Sequence, residues 1–255
     1  MVQSLQDIIK RQHWMTPETK EIALERAGKI QKDLGWPREL FGNFEDSTAI
    51  DTYHRDDYYI VIDAYNRNKE DFYTIVKILK TGLRNREEIR KLSEKSDRRR
   101  FNYSPARVQI SYQSDRNSIA VPLASFTSIF YNSDYPKAYT IANRGIAISQ
   151  ELSKAFDDEG SQFDVDGSLY GTSRSSHSWM DLESQISHFR MRECVISQYS
   201  SQCCRTGSYM LKYNRTRCSN GENTQRQNIA DNLGLIVAYE AFKRYEESVH
   251  GEELR

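Results

Sequence analysis

One short segment limits what this chain can fold into more than any other. "ARVQISYQSDRNSIAVPLA", Ala106 to Ala124, alternates apolar and polar residues on both sides of Ser-Asp-Arg-Asn. Period-two alternation puts one face of a strand inward. The polar break between the runs is turn chemistry. A β-hairpin over Arg107–Val121 is therefore expected, with Pro122 at a strand end or on an edge strand. Most of the remaining chain carries helical periodicity, so the expected class is α+β, mostly α-helical.

"MTPETKEIALERAGKIQKDLGWP" predicts a helix that Thr16 caps and Pro17 opens, stopped by Gly35 and Pro37. Ala23, Ala27, Ile30 and Leu34 would line its inner face. A second helical stretch is expected over about Asp57–Leu79, with Val61, Ile62, Tyr65, Phe72, Ile75, Val76 and Leu79 apolar. "ISQELSKAFDDEG" predicts a helix with Ile148, Leu152 and Ala155 on one face. Gln150 and Lys154 share another face, with Glu151 beside them. The polar, glycine-containing stretch Asp157–Ser178 reads as loop, Trp179–Tyr199 as helix and Cys203–Gln225 as an irregular, cysteine-tied segment. "QNIADNLGLIVAYEAFKRYEES" predicts a last helix with Ile229, Leu233, Ile236 and Val237 inward.

Bulk properties exclude some functions. Lys+Arg and Asp+Glu both total 36, so the formal net charge is zero. That balance argues against a general nucleic-acid or membrane-surface binder. Hydrophobic residues make up 38% with no long apolar run, so no membrane insertion is expected. "MVQSLQDIIKRQHW" lacks the apolar centre of a signal peptide. The four cysteines, Cys194, Cys203, Cys204 and Cys218, have no zinc-type spacing. They suit local disulfides, such as Cys203 or Cys204 with Cys218, in an oxidising compartment. Two sequons, at Asn102 and Asn214, fit the same compartment.

Four pieces in a fixed order carry a family resemblance: "HWMTPETKEIALERAGKIQKDLGWP", "VQISYQSDRNSIAVPLA", "FYNSDYPKAYTIANRGIAISQELSKAFDDEGSQFDVDG" and "QNIADNLGL". In this order the chain resembles the neprilysin and endothelin-converting-enzyme family of zinc metallopeptidases. The resemblance implies a helical segment over residues 1–100. It implies a thermolysin-like zincin subdomain over 101–255, with a hairpin and edge strand, incomplete at its C-terminus. The family holds zinc with His-Glu-x-x-His on one helix and with the glutamate of Glu-Asn-Ile-Ala-Asp on a second. Residues at i and i+4 point the same way, so two imidazoles can grip one ion.

Carried over residue by residue, the two histidine positions hold Gln150 and Lys154, and the glutamate ligand position holds Gln227. The water-activating acid remains as Glu151 and the orienting aspartate as Asp231. A neutral amide oxygen is a poor zinc ligand, and an ammonium has no lone pair to offer. None of the five histidines, His13, His54, His177, His188 and His250, lies four residues from another. No metal cofactor is therefore expected. In the family's peptide-binding edge strand, Asn-Ala-Tyr-Tyr is here Gln109-Ile110-Ser111-Tyr112, of which only the last matches.

The reading that follows is a catalytically inactive pseudopeptidase, extracellular or part of a membrane ectodomain by family, that binds peptides or an extracellular protein. Lys154 would either sit between Glu151 and Asp231, with Gln150 and Gln227 completing the hydrogen bonds, or reach solvent. The alternatives are an active zinc metalloendopeptidase cleaving small peptides, and a truncated fragment without a function of its own.

Overall fold

The structure is a computed structural model. It describes residues 1–37, 45–68, 71–93, 98, 103–127, 131–170, 178–206 and 215–249. The fold is mostly helical α+β, in agreement with the expected class. Helix α1 (Val2–Arg11) packs on α2 (Pro17–Gly28), which leads into strand β1 (Gln31–Gly35). Two long helices follow, α3 (Thr48–Asn68) and α4 (Phe72–Ser93), paired with each other. Next come strands β2 (Ser111–Gln113) and β3 (Ser118–Pro122). A short helix α5 (Lys137–Thr140) runs through a π-turn, Ile141–Gly145, into α6 (Ile146–Ser153), which ends in a 3₁₀ turn at Lys154–Phe156. Helix α7 (Leu182–Ser200), a ribbon of β4 (Cys203–Thr206) with β5 (Arg215–Cys218), and the long α8 (Gly221–Ser248) complete the chain.

The hairpin forms where the alternation places it, although its strands are shorter than Arg107–Val121. β2 and β3 pair antiparallel across the Ser114–Asn117 turn, with Tyr112 opposite Ile119. Asn117 closes the turn at φ 44°, a left-handed conformation that asparagine tolerates better than most residues. Pro122 is the last residue of β3, where it removes no ladder hydrogen bond needed further along.

The helix expected to run from Pro17 to Gly35 is corrected. Thr16 does cap it, its Oγ1 accepting from the Thr19 amide. The helix ends at Gly28, and Gln31–Gly35 turns into a strand parallel to β3. The Gln31 amide donates to the Asn117 carbonyl at 2.9 Å, which starts the ladder. Tertiary pairing overrides the local preference of Gln-Lys-Asp-Leu, and Leu34 is left exposed instead of lining a helix face. The sheet order β1-β3-β2 makes β3 central and β2 an edge.

Three further boundaries change. The stretch read as one helix over Asp57–Leu79 is two, broken where the Asp71 carboxylate caps the Thr74 amide. Ile62, Tyr65 and Phe72 in it are exposed. Cys203–Gln225 is not irregular throughout: β4 pairs with β5, and α8 begins at Gly221 under an Asn220 cap. Ile236 faces outward, while Val237 is fully buried as expected. The cysteine tie is Cys203–Cys218, and Cys194 and Cys204 are free and exposed. The sequons at Asn102 and Asn214, with His177 and His250, lie outside the described residues.

The core gathers Leu5, Ile8 and Ile9 of α1, Ala23 and Ala27 of α2, Ile119 and Val121 of β3, Leu152 of α6 and Val237 of α8. α1 has the i, i+3, i+4 spacing of an amphipathic helix. Its apolar side packs against α2 and α8, and α8 carries part of the polar site described next. Among the described residues no helix is long and apolar enough to cross a membrane.

Candidate functional site

α6 and α8 touch closely because α8 has no side chain at Gly234. A Cβ there would lie 2.6 Å from Gln150 Cγ and 2.8 Å from the Gln150 amide nitrogen. This contact sets Gln150 of α6 against Asp231 of α8, with Gln227 one turn before Asp231 on the same helix. The edge strand β2 passes the same end of α6.

Two hydrogen-bonded groups result. In the first, Glu151 is shared between helix and strand. Its Oε1 accepts from Lys154 Nζ at 2.6 Å, and its Oε2 accepts from the Tyr112 backbone amide at 3.0 Å. Lys154 and Glu151 are both largely withdrawn from water, at 20% and 15% side-chain exposure. In the second, Asp231 Oδ1 accepts from Gln150 Nε2 at 2.9 Å and from Gln227 Nε2 at 2.5 Å. Of the two placements weighed for Lys154, the structure has the ammonium on Glu151. The part of that placement which joined it to Asp231 is corrected: Asp231 is satisfied by the two glutamines instead, and Lys154 lies three residues from Glu151 on the same helical turn.

The strand residues divide. Gln109 and Ile110 precede β2, Gln109 exposed and Ile110 buried. Ser111 and Tyr112 lie in the strand. The Tyr112 phenol points the other way, into a buried polar network. It donates to Asn117 Oδ1 at 2.7 Å and accepts from Arg26 Nη2 at 3.0 Å. Burial pushes this phenol up to about 12, against the pull of the Arg26 guanidinium.

Arg26 is fully buried, and sequence reading missed it. Its Nε donates to the Ala155 carbonyl at 3.0 Å, and its Nη1 donates to the Phe163 and Asp164 carbonyls. One guanidinium thus ties α2 to the end of α6, to the following loop and to Tyr112. Burial lowers its pKa, with Tyr112 and Asp164 opposing. An arginine among charged neighbours on a helix gives no signal of burial, so only the fold reveals this role.

The loop after α6 is held by Asp157, whose Oδ1 accepts from the Glu159 and Gly160 amides at 3.0 and 2.8 Å. Arg226 of α8 donates to its other oxygen. Burial pushes the Asp157 carboxyl up; the Gly160 amide and the Arg226 guanidinium pull against it. Asp181 caps α7 and also accepts from the Thr16 and Thr19 hydroxyls. Burial opposes its ionisation, but these donors outweigh it and hold the carboxyl well below its usual range. Among the described residues, no three His, Cys, Asp or Glu side chains gather closely enough to hold a metal ion.

The chain is similar to known proteins over most of its length. The pattern described as Peptidase family M13 matches residues 110–255. Neprilysin-11 of Caenorhabditis elegans is 31% identical over 252 residues, covering 99% of this chain and 26% of that protein. Endothelin-converting enzyme 1 of Homo sapiens is 29% identical over 232 residues, covering 91% of this chain and 26% of that one. A solved Haemonchus galactose-containing glycoprotein complex superposes with a TM-score of 0.72 at 34% identity, covering all of this chain and 36% of its own. The chain thus spans about a quarter of the length of these curated relatives. With the family pattern covering more than half of the sequence, the chain belongs to peptidase family M13, the neprilysin and endothelin-converting-enzyme family.

Proposed function

We propose that this chain is an inactive member of its metallopeptidase family, one that binds an extracellular peptide or protein without cutting it. The observation that carries the reading is where the side chains at the three family ligand positions point. Gln150 and Gln227 both spend their amide donors on Asp231, and Lys154 places an ammonium on Glu151.

Zinc does not fit this donor set. An ammonium offers no lone pair and repels a dication, and two neutral amides lack the charge and basicity that zinc selects. Without a bound water of lowered pKa, Glu151 has nothing to activate. What remains is a fold with an edge strand beside a hydrogen-bonded polar cluster. Ser111 and Tyr112, with Gln109 and Ile110 ahead of them, are the proposed contacts. An edge strand recruits an extended peptide through backbone groups, so the missing family side chains need not abolish pairing. The single intact disulfide, Cys203–Cys218, suits an oxidising, extracellular setting.

Elemental analysis of the purified chain after incubation with zinc tests the reading, together with cleavage of a quenched fluorogenic peptide. The expected result is no stoichiometric zinc and no chelator-sensitive cleavage. A full equivalent of zinc with cleavage that a chelator abolishes would overturn it and reinstate a peptidase.

A further inference from the structure

The edge strand is not open. In an antiparallel ladder each residue sends its N–H and C=O to the same side, and successive residues alternate. The Tyr112 amide goes to Glu151, so Tyr112 is the residue of β2 that faces away from β3. Its neighbours Ser111 and Gln113 face into the ladder, opposite Ala120 and Ser118. β2 is only three residues long, so Tyr112 is its one outward pairing position. That is where an added peptide strand would deliver a carbonyl oxygen, and the Glu151 carboxylate already occupies it.

We infer that Glu151 acts as a gate on the peptide-docking edge: its carboxylate stands in for the carbonyl of an extended peptide on the Tyr112 amide, and Lys154 holds it there. The inference rests on the proposed reading of this edge as a docking site. The two contacts use different oxygens of one carboxylate, Oε2 to the strand and Oε1 to the ammonium, so they do not compete. A carboxylate accepting from an amide makes a stronger hydrogen bond than a neutral carbonyl does. An arriving peptide therefore exchanges a strong acceptor for a weaker one at this position and must leave Glu151 with Lys154 alone. Resting affinity is held down, and a change that draws Glu151 away raises it. The same acid that activates water in active relatives would, in this chain, regulate access.

Two readouts separate the gate from the function it serves. Exchange of the Tyr112 backbone amide, followed by NMR, needs no ligand. Fluorescence anisotropy with a fluorescein-labelled peptide of alternating Thr and Val residues measures docking. In the parent chain the Tyr112 amide is expected to be protected. In Glu151→Ala it loses that protection, and the probe binds about tenfold tighter, the weight of one charge-assisted bond of about 1.5 kcal/mol. Glu151→Gln keeps an acceptor of the same size and should fall between. Lys154→Met frees the carboxylate from its anchor and should speed Tyr112 exchange without removing the acceptor; with Glu151→Gln it decides the matter if the alanine variant does not fold. Undiminished protection in Glu151→Ala overturns the gate, as does a probe affinity no higher than the parent's, including no binding by either. Zinc-dependent cleavage of the probe by the parent is a different result. It removes the underlying reading and is seen in the probe's mass rather than in amide exchange.

Discussion

At the scale of single residues, Arg26 does most to join separate parts of the chain. Its donors reach the Ala155, Phe163 and Asp164 carbonyls and the Tyr112 hydroxyl, and its own carbonyl accepts from Asn117 Nδ2. Arg26→Met keeps most of the volume and removes every donor, leaving buried acceptors unpaired. The loss should be about 3 kcal/mol in urea unfolding, from several bonds of about 1 kcal/mol each. A loss below about 1 kcal/mol would mean that water replaces the guanidinium. The sequence marks Glu151, Lys154, Gln150, Gln227 and Asp231 as one group through the family spacing, and the structure does bring them together in two adjacent clusters. It could not apportion them. Whether an ammonium goes to the acid on its own helical turn or to the one on α8 depends on which acceptor the glutamines have already taken.

At the scale of elements, the α6–α8 contact decides whether the site exists. Gly234 looks like an ordinary helix glycine in sequence, and replacing one with alanine in an exposed helix gains about 1 kcal/mol. Here the added methyl would meet Gln150 Cγ at 2.6 Å, with the Gln150 backbone nitrogen and Cα at 2.8 and 2.9 Å. Gly234→Ala should therefore lower stability by about 2 kcal/mol, the scale of overpacking a fitted contact, and should free the Asp231 carboxylate from Gln150. Thermal unfolding checks the sign: an unchanged or higher midpoint would mean that the helices part without cost. Among the elements, the hairpin, the Thr16 cap of α2 and the burial of Ala23, Ala27 and Ile30 were legible, because each rests on local pattern or capping chemistry. β1 was not, because Gln31-Lys32-Asp33-Leu34 carries no strand signal and becomes a strand only through the neighbour that β3 provides. The break between α3 and α4 also passed unread, although Asp71 three residues before Thr74 is a cap signature.

At the scale of the whole molecule, acid should weaken the fold through His188. This side chain is buried on α7 against the Trp14 ring, 5.8 Å between centroids. Burial lowers its pKa below 6.5, with Asp158 and Asp157 pulling it back and Arg192 adding to the lowering. The unfolded chain therefore takes up the proton first as pH falls below about 6.5, and the stability present above that value is progressively lost. Urea midpoints at pH 7.5 and 5.5 should differ more for the parent than for His188→Gln, a comparison in which the carboxylates common to both cancel. Equal differences would show that His188 titrates as freely in the fold as outside it.

The parallel pairing of β1 with β3 also sets an order of events. β2 and β3 are joined by a four-residue turn and can meet at once, whereas β1 must wait until the chain carrying all of α3 and α4 has looped back. Closing a long loop slows the contacts that depend on it. Gln31–Gly35 should accordingly be late to lock in during folding, and substitutions there should hasten unfolding more than they delay refolding.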